Sequence, residues 1–345
     1  MRLSIIGLPG AGKKTVFETL TGIVNQEISH KPENQIGTIR VPDERVDALS
    51  SMYHPKKTVF AQIEYLLPQM RSNNASRNPE DAIWDIVRTC DAIIHVLRNF
   101  KGVGLQNPQP QKDFTRLNEE MILADLMVVE KRLEKIEQDQ KRKKKIDREE
   151  ARLLSACLNM LEKEQPLRRN FELTSAPRLK GFSFLTAKPM MVLYNNDDDD
   201  DTVPQPGGPL AQENCFAIRG KIEQELSRMP PEEVNTYLEE FGIAASAMDR
   251  MIAQSYSLLG LISFFTVGSD EVRAWTVKKN TAAFEAAEVI HSDIKKGFIR
   301  AETLAYHDLA EAGSYKEARQ RGTVRLEGKT YPVQNGDIIE FRFNV

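Results

Sequence analysis

Apolar residues arrive along this chain in two ways, as short runs and as helical stripes. "RLSIIG" (2–7) is an apolar run ending in glycine; a Gly/Pro loop follows, and "KKTVFETLTG" (13–22) reads as helix. "DAIIHVL" (91–97) and "KPMMVLYNN" (188–196) are further buried-strand candidates, and "IWDIVRT" before the first of them is predicted helical. Short apolar runs separated by helical stretches predict a parallel sheet covered on both faces. Between the last two runs the period changes. Ile122, Leu126, Val129, Leu133 and Ile136 repeat at spacings of four and three, and Leu154, Leu158 and Leu161 resume after "KRKKK" (141–145). That is an antiparallel helical hairpin with a charged tip, inserted into the α/β domain. The pentad "DDDDD" (197–201) and "TVPQPGGP" (202–209) predict a mobile loop.

From about residue 259 the pattern shortens. "LISFFTV" and "VRAWTV" read as strands around a "GSDE" turn, and "TAAFEAAEVIHSDIKKG" (281–297) reads as one helix. "IRAETLAY", "VRLEGKTYPV" and "DIIEFRFNV" read as further strands, with Asn335-Gly336 as a turn. Strand, strand, helix and more strands in so short a segment is a β-grasp arrangement. Alternation places Phe264, Phe265, Trp275, Phe341 and Phe343 in a core or on a sheet face rather than on a base-stacking platform.

Length and composition narrow the classes. At 345 residues, 41% hydrophobic and 28% charged, the chain reads as a soluble globular protein of two or three domains. A net charge of -3 gives no global basic field, so contact with nucleic acid must come from a local patch. Cys90, Cys157 and Cys215 are far apart with no C-x-x-C, which points to free thiols in a reducing cytoplasm. No signal peptide and no membrane helix is expected. Neither G-x-S-x-G nor H-E-x-x-H occurs, and His291 and His307 lack metal-ligand spacing, so no catalytic residue and no metal ligand is assigned.

Chemistry concentrates in "GLPGAGKKT" (7–15). The phosphate-binding pattern G-x-x-x-x-G-K-[ST] is met by Gly7, Gly12 and Lys13, and the strand before and helix after supply its context. Glycines let backbone N–H groups turn inward while the helix presents its positive end to an anion. The candidate phosphate site is Gly7, Gly10, Ala11, Gly12, Lys13, Lys14 and Thr15. Lys14 stands where the hydroxyl ligand of Mg²⁺ belongs, and Thr15 is about 100° further round the helix, out of reach of that place.

The chain resembles the YchF family, an Obg-related branch of the P-loop GTPases. "VRAWTV", "KGFIRAETL" and "GDIIEFRFNV" carry the resemblance most closely, with "VPDERVDAL" (41–49) and "DAIIHVLRNF" (91–100). It implies a doubly wound, mostly parallel GTPase-type domain over 1–115 and 167–258. An inserted coiled-coil hairpin over 116–166 and a C-terminal TGS domain over 259–345 complete the chain. It also implies ribosome association, with RNA contact through Lys141, Arg142, Lys143, Lys144, Lys145 and the TGS domain. The tip has no interleaved aromatics for reading bases, and a solvated turn is the alternative.

The family's base-reading N-x-x-E aligns with Asn195, Asn196, Asp197 and Asp198. A carboxylate at the fourth place accepts from guanine's N1–H and amine, so GTP is favoured over ATP; Asp198 could equally belong to the solvated pentad. The magnesium apparatus departs from the family. Lys31 falls at the first-switch threonine, and Leu67, Pro68, Gln69 and Met70 fall at D-x-x-G, followed by "RSNNASRNPED". Phosphoryl transfer depends on that metal, so little hydrolysis is expected and Mg²⁺ is doubtful. Lys13 and Lys14 could form a metal-free phosphate clamp, or Lys14 could be drift. The expectation is a cytoplasmic protein that binds GTP or ATP weakly and regulates through ribosome or RNA binding. Two alternatives stay open: a working NTPase whose metal is held by Asp43, Glu44 or the acidic loop, and a fold that binds no nucleotide.

Overall fold

A computed structural model describes residues 1–23, 34–69, 79–102, 106–240 and 246–344. In chain order its strands begin with β1 (Arg2–Ile6), β2 (Gln35–Arg40), β3 (Lys57–Val59), β4 (Gln62–Leu67), β5 (Ala92–Asn99) and β6 (Met190–Asn196). They continue with β7 (Asn214–Ile218), β8 (Leu261–Thr266), β9 (Glu271–Lys278), β10 (Phe298–Ala305), β11 (Arg325–Glu327) and β12 (Asp337–Phe343). The helices begin with α1 (Lys13–Thr21), α2 (Glu44–Tyr53), α3 (Pro79–Arg88), α4 (Pro110–Lys141), α5 (Arg148–Glu162), α6 (Phe171–Ser175) and α7 (Gly220–Leu226). They end with α8 (Pro231–Glu240), α9 (Ala247–Leu258), α10 (Ala283–Ile290), α11 (Ser292–Lys296), α12 (Tyr306–Ala312) and α13 (Tyr315–Gln320). None of the described helices is long and apolar enough to cross a membrane.

The chain forms two compact units, Met1–Thr38 with Glu64–Met248, and Ile39–Ile63 with Asp249–Val345. The first is built on a sheet of order β2-β4-β1-β5-β6-β7, in which β4, β1, β5, β6 and β7 run parallel to one another. β1, β5 and β6 are buried almost throughout, as strands covered on both faces must be. β2, β4 and β7 extend the sheet beyond the three apolar runs, because their mixed patterns are those of less buried strands.

The hairpin is α4 and α5. Its seam buries Ile122, Val129 and Ile136 against Leu153, Leu154, Cys157 and Leu161. The turn closes with Lys143 in the left-handed region (φ 54°), and Asp147 caps α5 by accepting from the Glu149 and Glu150 amides. At its base α4 is fastened by Asp125, whose buried carboxylate accepts from Arg88 Nη1 (2.8 Å), the Leu185 and Thr186 amides, and Thr186 Oγ1. The acidic stretch after β6 makes local hydrogen bonds. Asp197 accepts from the Lys101 amide, Asp200 from Thr202, and Asn196 Nδ2 donates to Thr202 O.

The second unit has strand order β11-β10-β12-β8-β9-β3. β8 and β9 form an antiparallel hairpin, β12 lies parallel to β8, and α10 covers a core that includes Phe264, Val277, Ala286, Ile339 and Phe341. This is the β-grasp arrangement, with β3 added alongside β9. Phe264 meets Phe341 edge-on, Trp275 donates to Thr266 Oγ1, and Phe343 is the exposed member of the aromatic set. The helix expected over 281–297 is two helices. His291 adopts an extended backbone (φ -162°), and its Nδ1 accepts from the Asp293 amide to cap α11. His307 sits on the surface beside Asp308. In "VRLEGKTYPV" only Arg325–Glu327 is strand, and α12 and α13 fill the stretch before it.

Candidate functional site

The site forms where β1 ends and α1 begins. Gly7 has φ 153° and Gly12, the residue before α1, has φ 90°. A Cβ on Gly7 would lie 2.4 Å from the Val96 carbonyl oxygen, and one on Gly12 would lie 2.2 Å from Asn195 Nδ2. Both positions therefore require glycine for space and for backbone conformation. Gly10 is also left-handed (φ 80°), and Ala11 is buried, its amide donating to Leu8 O. The first turn of α1 leaves the amides of Lys13, Lys14 and Thr15 without intrahelical acceptors, the usual condition of a helix start.

Lys13 folds back over the loop, its Nζ donating to Gly7 O (2.6 Å) and Leu8 O (2.9 Å). Burial holds its ammonium below the usual lysine range. Lys14 turns the other way. Its Nζ lies 3.5 Å from Glu18 Oε1, one helical turn on, and Glu18 is nearly buried while Lys14 is largely exposed. The two lysines thus make separate contacts, and a joint clamp would require Lys14 to leave Glu18. Thr15 is half-buried on α1.

Asn195, at the end of β6, reaches the loop. It is 5% exposed, its Nδ2 donates to Ala11 O (3.1 Å), and its Oδ1 accepts from the Gly220 amide (3.1 Å). One side chain therefore ties the phosphate loop, β6 and the start of α7 together. A Cβ on Gly220 would lie 2.4 Å from that same Oδ1, so glycine is needed there too. Asn196 points elsewhere, accepting from Asn99 Nδ2 and donating to Thr202 O. Asp198 is half-exposed and pairs with Lys221 Nζ at 3.2 Å.

The positions that serve Mg²⁺ in a phosphate-loop enzyme do not fit the ion. Lys14 supplies an ammonium for the hydroxyl, and β4 runs into Leu67, Pro68 and Gln69 with no carboxylate. Lys31 and Met70 lie outside the described residues. Asp43, a replacement ligand considered from sequence, caps α2 and holds Arg45 through both oxygens. Among the described residues no group of three or more His, Cys, Asp or Glu side chains could hold a metal ion.

One neighbour of the site was not visible as such in the sequence. His95 on β5 stands beside Ile6 of β1, fully buried and stacked on Phe114 of α4 (centroids 5.5 Å). Neither ring nitrogen has a hydrogen-bond partner, and burial, with Arg168 and Lys13 nearby, lowers its pKa to about 3. A histidine within an apolar strand run is the available signal, since it must be neutral there.

At the hairpin tip Lys141 pairs with Glu137 and Lys144 with Asp139. Arg142, Lys143 and Lys145 are exposed, with no ion-pair partner among the described residues.

Known proteins place this geometry. Residues 261–344 match the family model YchF-GTPase_C, described as "Protein of unknown function (DUF933)". The chain is 37% identical over 362 residues to "Ribosome-binding ATPase YchF" of Bacillus subtilis, covering 99% of this chain and 98% of that protein. It is 32% identical to "Obg-like ATPase 1" of Oryza sativa, covering 100% of this chain and 92% of that protein. Among solved structures it superposes on the YchF GTPase of Schizosaccharomyces pombe with a TM-score of 0.83 at 27% identity, covering 99% and 97% of the two chains. A "GTP binding protein" of Pyrococcus horikoshii, 18% identical over the full length of both chains, shares the fold at a TM-score of 0.63. With more than a third of its residues shared over nearly its whole length, the chain belongs to the YchF family.

Proposed function

We propose that this chain is a cytoplasmic nucleotide-binding protein that acts on the ribosome or another RNA partner, with little or no magnesium-dependent hydrolysis. The observation that carries the reading is the loop itself. Gly7 and Gly12 are sterically required, Lys13 lies over the loop, and the next position holds an ammonium paired with Glu18 in place of a metal-binding hydroxyl. An anion can be bound by such a loop through amides, helix dipole and one lysine. Chemistry at the γ-phosphate lacks its metal-holding groups.

Asp198 would select guanine, so GTP is preferred to ATP; its surface pair with Lys221 is weak enough to be exchanged for a base. The partner is suggested by the ribosome-binding relatives and by the three unpaired cations at the hairpin tip. In this reading the three functional parts are 1–115 with 167–258, the hairpin 116–166 and the TGS domain 259–345. Fluorescent GTP and ATP analogues, titrated with Mg²⁺ and again with EDTA, test it. Binding in both conditions is expected. Binding only with Mg²⁺ would revive a working enzyme, and binding in neither would leave a fold without its ligand.

A further inference from the structure

The β-grasp sheet opens where one of its strands stops short. β8 pairs Phe265 with Ile338 of β12 and ends one residue later at Thr266, whereas β12 runs on to Phe343. Beside that end lies a cavity of about 420 Å³, a volume in the range of small-molecule sites. Its described lining residues all belong to the second unit, and it shares none with the phosphate loop or with Asn195 and Asp198. Ile290 and Ile294 wall it from α10 and α11, Tyr53 and Tyr315 from α2 and α13, and Trp275 and Phe341 from the strands.

The charge of this lining has one sign. Among its described residues there is no lysine, arginine or histidine, and the charged members are Glu271 and Glu340. Glu271 is shared between Arg273 at 3.4 Å and Lys57 at 3.8 Å. Glu340 is exposed and has no ion pair among the described residues. Opposite it on β10 stands Glu302, which binds both Arg319 and Arg342, so the Glu340 oxygens are left to accept from something else. An RNA phosphate would meet two carboxylates here and be repelled. A cation would meet those carboxylates beside electron-rich rings, which already attract cations from outside the lining. Arg273 lies over Trp275 at 4.6 Å, and Arg319 over Tyr315 at 5.6 Å. We propose that this cavity binds a small organic cation, an ammonium or guanidinium on a flat apolar body. The body lies among the aromatic rings and the two isoleucines, and Glu340 holds the charge.

Three probes with one phenylethyl body test the proposal: phenethylamine as the cation, 2-phenylethanol as the neutral form and 3-phenylpropionate as the anion. Each is titrated calorimetrically into the full chain without nucleotide, so the outcome does not depend on whether the loop binds GTP or ATP. Saturable binding of phenethylamine at one site is expected, with 2-phenylethanol weaker by about fivefold and 3-phenylpropionate weakest. Glu340→Gln keeps the shape and removes the charge at an exposed position. It should weaken phenethylamine by about fivefold and leave 2-phenylethanol unchanged. Ile294→Trp, which fills the chamber, should weaken both by about tenfold or more. The proposal is overturned if phenethylamine shows no saturable binding, if 2-phenylethanol binds as tightly, or if Glu340→Gln leaves phenethylamine unchanged. It also fails if Ile294→Trp is folded by circular dichroism and binds like the parent chain. Should Ile294→Trp not fold, the probe series and Glu340→Gln decide.

Discussion

Lys14 decides more about this protein than any other single residue. Its ion pair with Glu18 is partly exposed, so Lys14→Ser should cost no more than about 1 kcal/mol of stability. It would restore the hydroxyl of the phosphate-loop pattern, yet β4 still ends in Leu67-Pro68 with no aspartate for the metal. Phosphate release with Mg²⁺ and GTP is therefore expected to stay at background in the variant. Magnesium-dependent turnover would mean that only the hydroxyl was missing. His95 makes a second prediction at this scale. In the unfolded chain its imidazole takes a proton near pH 6.5, whereas in the folded chain it resists until about 3. The unfolded state binds the extra proton, so this contribution is present above 6.5 and is lost as pH falls. The loss is about 1.4 kcal/mol for each unit below 6.5. His95→Leu should flatten that slope, which urea unfolding of both proteins at about pH 7.5 and 5.5 would measure. An equal slope in the two would show that His95 does not report burial.

At the scale of elements, one buried carboxylate fastens the hairpin beside the apolar face that α4 packs on the sheet. Asp125 of α4, itself shut off from solvent, gathers Arg88 from the end of α3 and the amides of Leu185 and Thr186. Asp125→Ala strands a largely buried guanidinium and two buried amides, so a loss of about 3–5 kcal/mol is expected in chemical denaturation. A loss below about 1 kcal/mol would mean that water replaces the carboxylate. The sequence shows why such joins escape notice. The apolar runs of β1, β5 and β6 and the stripe of α4 are periodic, and periodicity is read from neighbours along the chain. Asp125 interrupts the α4 stripe as an ordinary polar residue, and its partners lie 37, 60 and 61 positions away. The phosphate loop was legible because its glycines are local and adjacent. The role of Asn195 was visible only as a motif position, since its bonds to Ala11 O and Gly220 N span 184 and 25 residues. β2, β4 and β7 lacked the continuous apolar run that marked the central strands.

At the scale of the molecule, charge determines how a partner is met. With a net charge of -3 the chain has no long-range attraction for RNA, so binding must be concentrated where cations are unpaired. Along α4 and α5 some basic residues are compensated, as Arg132 by Glu150 and Arg152 by Glu149 and Glu172, while Lys112, Lys131 and Lys135 stand singly on the shaft with no ion pair among the described residues. At the tip such unpaired cations are adjacent. Arg142, Lys143 and Lys145 project from the turn between the two helices. Replacing these three with alanine should lower ribosome binding and reduce the slope of log K against log salt by about 0.7–0.9 for each phosphate that is no longer neutralised. Alanine at Lys112, Lys131 and Lys135, exposed on the shaft of α4, makes the same change in net charge. Ribosome co-sedimentation over a salt series separates the cases. A drop confined to the tip variant supports binding there. An equal drop in both would reduce the effect to overall charge, and no drop in either would move the partner's footprint away from the hairpin.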